Sequence, residues 1–203
     1  MGRGLLIAIE GVDGSGKTTQ ARMLAEALER QGRPVVLTRE PTDGPEGRKL
    51  KRYLAGAERH LTPVQELELF LADRREHVRQ VIEPALATGR IVITDRYYYS
   101  SAAYQGALGL DPEWILAQNE AFAPRPHLVF LLILSVSQAL ARLAAKGEAA
   151  RQLTESAAYL EKVAAIYDSF SGPSFRRLDA ALAPEALHEI MLREALALAG
   201  NFG

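Results

Sequence analysis

The chain has 203 residues, 24 Lys plus Arg against 25 Asp plus Glu, a net charge of −1, 48% hydrophobic residues and no cysteine. That balance suits one well-buried globular unit of ordinary composition. It excludes a bulk electrostatic attraction to nucleic acid or an anionic membrane surface, a disulfide framework and a thiolate metal site. No apolar run approaches the ~18 residues of a membrane helix, and the N-terminus lacks a signal-peptide pattern. A soluble, cytoplasmic protein is therefore expected.

Leu5-Leu6-Ile7-Ala8-Ile9 is a short apolar run of the kind a buried parallel strand needs. Directly after it, Gly11-Val12-Asp13-Gly14-Ser15-Gly16-Lys17-Thr18 fits G-x-x-x-x-G-K-[ST] in full. Glycines let such a loop curl so that successive N–H groups face phosphate oxygens. The lysine reaches the β/γ-phosphates and the threonine hydroxyl sits on Mg²⁺. Ala21, Leu24, Ala25 and Leu28 then recur at helical spacing. A helix over 18–31 is predicted, stopped at Gly32.

Val35-Val36-Leu37-Thr38 reads as a second strand ending in Arg39-Glu40-Pro41, followed by a Pro/Gly loop and a short helix over 48–54. Thr62-Pro63-Val64-Gln65 is a capping box with proline at the first helical position. It opens a long helix with Leu67, Phe70, Leu71, Arg74 and Val78 on one side, which Pro84 should kink or restart before Gly89. Ile91-Val92-Ile93-Thr94 is a third strand, ending at Asp95-Arg96. The stretch from Tyr97 to Gln105 reads as loop running into helix.

Asp111-Pro112 caps a further helix to about Phe122, and a fourth strand covers 128–134. Ser137 is the expected cap of a helix to Lys146, broken by Gly147. The small, polar residues 148–153 form the core of a candidate lid, about 142–154. Thr154 opens a helix carrying Leu160, Val163, Ala164 and Tyr167. A weak last strand (174–178) and a terminal helix from Pro184 complete the chain. Strands alternating with helices predict a three-layer α/β P-loop domain over residues 1–203, with a five-stranded parallel sheet and a short lid. Ligands in such folds gather beyond the carboxyl ends of the strands, where Arg39, Asp95 and the phosphate loop all lie.

The loop alone indicates a nucleoside triphosphate, not its fate. No N-K-x-D segment marks a guanine-reading switch. A motor ATPase usually follows a buried strand with two acids, whereas Asp95 here is followed by the cation Arg96. That points to an anionic acceptor such as a nucleoside monophosphate.

With Thr38-Arg39-Glu40-Pro41, Leu69-Phe70-Leu71-Ala72-Asp73-Arg74 and the run from Asp95 to Gly106, the chain resembles the thymidylate kinase family over nearly its whole length. The resemblance implies phosphorylation of dTMP to dTDP by ATP with Mg²⁺, a step towards dTTP, in a homodimer. The apolar side of the long helix, around Leu67, Leu71 and Val78, is the candidate dimer face. Other readings are a deoxynucleoside monophosphate kinase of different base preference and a nucleotide-binding regulator without transfer activity.

The site residues follow from the same resemblance. Gly11, Val12, Asp13, Gly14, Ser15, Gly16, Lys17, Thr18 and Arg142 are expected on ATP, and Thr18 and Asp95 on the metal. Asp13 is expected to hold the acceptor sugar, whose 3′-OH its carboxylate can accept. Arg39 and Arg96 are the expected acceptor-phosphate cations, suited by a planar fork that binds phosphate bidentately. Phe70 would stack on thymine while Arg74, one turn on, donates to its O4. Tyr104 would crowd the sugar 2′ position, with Ser101 and Gln105 as polar partners of the base. Lys17, Asp13, Arg96 and a lid arginine, Arg151, make up the expected catalytic set. Some members of the family carry an arginine within the phosphate loop, where this chain has Gly14. His127, Ile133 and Ala150 stand where the family often has an acid.

Overall fold

Five apolar runs pair into one parallel sheet, and the order of pairing decides where the phosphate loop sits. The computed structural model describes residues 4–56, 60–145 and 157–200. Its strands are β1 (Leu5–Glu10), β2 (Val35–Arg39), β3 (Ile91–Asp95), β4 (Leu128–Ile133) and β5 (Phe175–Asp179), in the order β2-β3-β1-β4-β5. All pairings are parallel, and β1 and β3 are buried along their whole length. Register is what matters for function: Asp95 lies opposite Ile9 on one side and Arg39 on the other. The carboxyl ends of β1, β2 and β3 therefore stop at one level, beneath the phosphate loop.

Helix α1 (Lys17–Arg30) follows the loop and buries Ala21, Leu24, Ala25 and Leu28. It ends before Gly32 (φ 74°), as its sequence predicts. Helix α2 (Pro45–Ala55) begins three residues ahead of the expected helix, with proline in its first turn. The capping box at Thr62 is present in full at the start of α3 (Pro63–His77). The helix restarts at Pro84, as its sequence predicts, with the proline in the first turn of the new segment. A five-residue π-helical turn (Val78–Ile82) carries it into α4 (Glu83–Ala87), and the Glu83 N–H reaches the Val78 carbonyl five residues back. Proline has no N–H and its ring crowds the carbonyl four residues earlier. A widened turn ahead of it accommodates both defects.

The stretch from Tyr97 to Gln105, expected as loop running into helix, turns helical almost at once as α5 (Tyr98–Ala107). Its missing cap comes from a distant residue, because the Glu10 carboxylate accepts from the Tyr97 and Ser100 N–H groups at 2.8 and 3.2 Å. Asp111 caps α6 (Pro112–Glu120). Ser135, not Ser137, caps α7 (Val136–Ala145), accepting from the Gln138 N–H at 3.3 Å. Helices α8 (Ala157–Ser169) and α9 (Pro184–Ala199) follow. The expected lid core, with Lys146 and Arg151, lies outside the described residues.

One assignment is overturned. Leu67, Leu71 and Val78 are 0%, 2% and 4% exposed within this chain's own core, so they cannot form a face for a second copy. Among the described residues no helix is long and apolar enough to cross a membrane.

Helix α3 carries Phe70 and Arg74, so its capping box bears on the site as well as on stability. Thr62→Ala removes the acceptor for the Gln65 N–H and is expected to cost about 1 kcal/mol. Thermal unfolding should show this as a fall of about 2–4 °C in Tm.

Candidate functional site

The phosphate loop is built by backbone that only glycine adopts freely. Gly14 and Gly16 have φ of 82° and 93°. A Cβ on Gly14 would come within 2.7 Å of the Ala139 carbonyl on α7, so an arginine cannot enter there without moving that helix. No side chain caps the start of α1, which leaves its first N–H groups for an anion. Lys17 is buried and its ammonium donates to the Val12 carbonyl at 2.8 Å. Burial and the Arg96 charge push its pKa down to about 8, against the pull of Asp13, Asp95 and Glu10. The Thr18 hydroxyl donates to Asp95 Oδ2 at 2.5 Å, bridging the loop to the end of β3.

A cavity of about 620 Å³ opens over these groups. Asp13, Gly14, Gly16, Lys17 and Thr18 line one side, and Arg39, Lys51, Asp95 and Arg96 the other. Lys51, on α2, donates to Asp43 Oδ1 at 2.6 Å. Nothing in its local pattern singled it out from Arg48, Lys49 and Arg52 around it, because every cation of a basic run looks solvated until the fold turns one towards the site.

Asp13 and Arg96 form an ion pair across the cavity floor. Arg96 Nη1 also donates to Ser100 Oγ at 2.9 Å, and its guanidinium lies 5.1 Å from the Tyr104 ring centroid. The Tyr104 hydroxyl donates to Asp13 Oδ2 at 3.1 Å and lies 3.2 Å from the Asp13 N–H. Burial alone would raise the Asp13 pKa, but Arg96 and Lys17 outweigh it and hold the carboxyl down at about 2. Arg96 is the one non-glycine residue with positive φ (73°) among the described residues. That backbone is costly, and the neighbouring bonds hold it in place.

Arg74 lies in a deeper layer, 1% exposed, and does not line the cavity. Its Nε and Nη2 donate to Glu40 Oε2 at 2.9 and 2.5 Å. Nη1 donates to Ser101 Oγ at 3.1 Å and to Asn119 Oδ1 at 2.6 Å. Of the five guanidinium hydrogens, one on Nη2 stays outside these bonds. Glu40 Oε1 faces His77 Nδ1 at 2.9 Å, and His77 Nε2 faces the Thr38 hydroxyl at 2.7 Å. Burial pushes the Glu40 carboxyl up, yet Arg74 and His77 prevail and bring it below the usual range. Gln105 Nε2 donates to Glu66 Oε1 at 3.0 Å, while its buried Oε1 has no partner among the described residues. Phe70 is half-buried on the same helix as Arg74.

Thus the loop, Asp13, Arg39, Asp95 and Arg96 come together at one cavity, Tyr104 backs Asp13 and Arg96, and Arg74, Ser101 and Gln105 are buried deeper. Arg142 donates to the Ala180 carbonyl at 2.8 Å and lies beside the Gly14 carbonyl at 3.5 Å, against the loop. Sequence reasoning missed Glu10, Glu40, His77, Asn119 and Tyr167, whose partners lie far away along the chain.

The family model described as thymidylate kinase matches residues 9–190. A thymidylate kinase of Desulfotalea psychrophila is 48% identical over 178 residues, 87% of each chain. One of Xanthomonas campestris pv. campestris is 50% identical over 177 residues, 87% of this chain and 76% of its own. One of Xanthomonas euvesicatoria pv. vesicatoria is 45% identical over 195 residues, 96% of this chain and 83% of its own.

The buried Glu40–Arg74 pair gives a pH test. The folded-state pKa of Glu40 lies below its unfolded value, so its charge stabilises the fold above about pH 4.3 and ceases to as pH falls through the folded-state pKa. Removing one partner of such a pair costs about 3 kcal/mol or more. Glu40→Gln should therefore be strongly destabilised at pH 7 in denaturant unfolding. The gap to the unmodified protein should narrow below about pH 4.

Proposed function

This chain belongs to the thymidylate kinase family and phosphorylates dTMP, and we propose that it does so by direct in-line transfer of the ATP γ-phosphoryl group in the cavity between the phosphate loop and the Asp95–Arg96 turn. The observation that carries this reading is the meeting, around one cavity, of a triphosphate loop and a set of cations that the loop itself does not need: Arg39, Lys51 and Arg96. Two anionic substrates repel one another, and positive charge between them offsets that repulsion as the transition state forms.

In this reading the loop N–H groups and Lys17 hold the β- and γ-phosphates, with Arg142 beside them. Arg39 and Arg96 take the acceptor phosphate, and Asp13 accepts from the sugar 3′-OH. Tyr104 stands where a 2′-OH would come, and so favours deoxyribose. Phe70 stacks on the base. Arg74 lies a layer behind the cavity, so its uncommitted Nη2 hydrogen serves a keto oxygen only where the base enters that buried layer, which Ser101 and the Gln105 Oε1 without a partner among the described residues also belong to. Glu40 keeps that guanidinium oriented, so a cytosine amino group would meet a donor it cannot bond.

One bond forms, between a dTMP phosphate oxygen and the γ-phosphorus. One breaks, between that phosphorus and its bridging oxygen, which leaves with ADP. The acceptor is already an anion, so no strong base is required. Thr18 Oγ1 and Asp95 Oδ2 face the cavity 2.5 Å apart, two hard oxygen donors that fit Mg²⁺, an ion that takes few protein ligands beside phosphates and water. When bound, the ion neutralises phosphate charge. Arg151, on the lid, supplies the remaining cation as the lid closes and excludes water. The protein is a single cytoplasmic domain that works as a homodimer, on a surface other than the buried side of α3.

A coupled ADP-release assay against dTMP, dUMP, dCMP, dGMP and AMP should show strong preference for dTMP. Preference for dCMP or AMP overturns the base-site reading, and ATP binding without dTMP-dependent ADP release overturns transfer. Arg151→Ala should lower turnover by on the order of 10³-fold with the dTMP KM nearly unchanged. Little loss of turnover would move the role to Arg142 or Lys146.

A further inference from the structure

Glu10 closes β1 and is fully buried, and burial pushes its carboxyl pKa up against the pull of Ser100, Arg96 and Tyr167, yet the transfer reaction gives it no task. A buried carboxylate persists where donors surround it. Here the Tyr97 and Ser100 N–H groups reach Oε1 at 2.8 and 3.2 Å, and the Ser100 and Tyr167 hydroxyls reach Oε2 at 2.6 and 2.9 Å. The Ser100 and Tyr167 hydroxyl oxygens are themselves 2.9 Å apart. These bonds join three separate pieces of chain: the strand before the phosphate loop, the start of α5, and α8.

The direction of the bonds matters more than their number. A serine hydroxyl has one proton to give. Ser100 gives it to Glu10, so its lone pairs are left for Arg96 Nη1, which donates to it at 2.9 Å. Asp13 takes the other end of the same guanidinium. Arg96 is thereby fixed at both ends on a backbone with φ of 73°. Without an acceptor at Glu10, the Ser100 proton is free to turn towards Arg96, and the guanidinium loses the anchor on Nη1, keeping Asp13 and Tyr104 on the other side.

We propose that Glu10, Ser100 and Tyr167 are positioning residues for Arg96, and that Tyr167 makes the orientation of this acceptor-phosphate arginine depend on the seating of α8 against α5. The proposal rests on the reading of Arg96 as an acceptor-phosphate cation. Its contribution to catalysis is orientation: a fork aimed before substrate arrives loses less freedom on binding. Tyr159, one end of α8, donates to the Tyr104 carbonyl at 2.9 Å, so α8 is pinned to α5 at two places two turns apart.

Tyr167→Phe removes the hydroxyl and keeps the ring that packs against Phe170 and Tyr104. Ser100→Ala removes the shared hydroxyl itself. On the full chain, both should lower kcat/KM for dTMP by about 10-fold while the ATP KM moves less than about twofold. In an Arg96→Lys background, Tyr167→Phe should have less than about a twofold further effect, since the fork it orients is gone. Thermal unfolding of each variant reports folding separately. Equal losses in the dTMP and ATP parameters, or losses that simply follow Tm, overturn the proposal. Impaired Arg96→Lys beside unimpaired Tyr167→Phe and Ser100→Ala overturns the relay alone. Unchanged dTMP kinetics in Arg96→Lys overturns the acceptor-phosphate reading and the relay together.

Discussion

The ion pair between Asp13 and Arg96 is the constraint around which the site is arranged. Its two members come from the loop after β1 and the turn after β3, strands that pair in register up to Ile9 and Asp95. The sheet fixes how far apart the two backbones stand, and the pair fixes where the side chains point. Tyr104 braces both members, and Ser100 braces the cation. Because the pair is half-shielded from water, it acts more strongly than a surface pair would. It keeps Asp13 ionised to about pH 2 and places a fork beside the phosphate loop before any ligand arrives. A site that is charged and oriented in advance spends little on reorganisation during transfer.

A second pair, Glu40–Arg74, repeats the device one layer deeper, in surroundings that are almost dry. Here desolvation of two charges is expensive, and a well-packed apolar pair would serve stability as well. What the ionic pair adds is direction. Four of five guanidinium hydrogens are committed to Glu40, Ser101 and Asn119, so the fifth has a defined place. Thr42, bonded to Asp73 through its N–H and hydroxyl, ties the loop after Glu40 to the helix that carries Arg74. The end of β2 that carries Arg39 and the side of α3 that carries Arg74 are therefore tied together.

Much of this was legible in the sequence, for a physical reason. The phosphate loop, the strand runs and the Thr62 capping box are local codes, in which a residue's role depends on neighbours a few positions away. Asp95 and Arg39 could be placed because strands of a parallel sheet deliver their last residues to a shared edge. What stayed hidden depends on partners far along the chain. Glu10 meets Tyr167 across 157 residues, and no pattern within β1 distinguishes a buried anchor from a strand-end acid. Glu40 looked like part of a turn and proved to be the counter-charge of Arg74. The early start of α5 has no local signal, because its cap comes from Glu10 instead of from its own first turn. The apolar side of α3 could have faced either a core or a second copy, and only packing decides between them.

The most direct measurement of the central claim is a crystal structure with dTMP bound. The phosphate should lie within hydrogen-bond reach of Arg39 and Arg96, with the sugar on Asp13 and Tyr104 and the pyrimidine over Phe70, its keto edge turned to Arg74. A nucleotide lodged outside the cavity between the phosphate loop and the Asp95–Arg96 turn, or one whose phosphate ignores both arginines, would contradict the account.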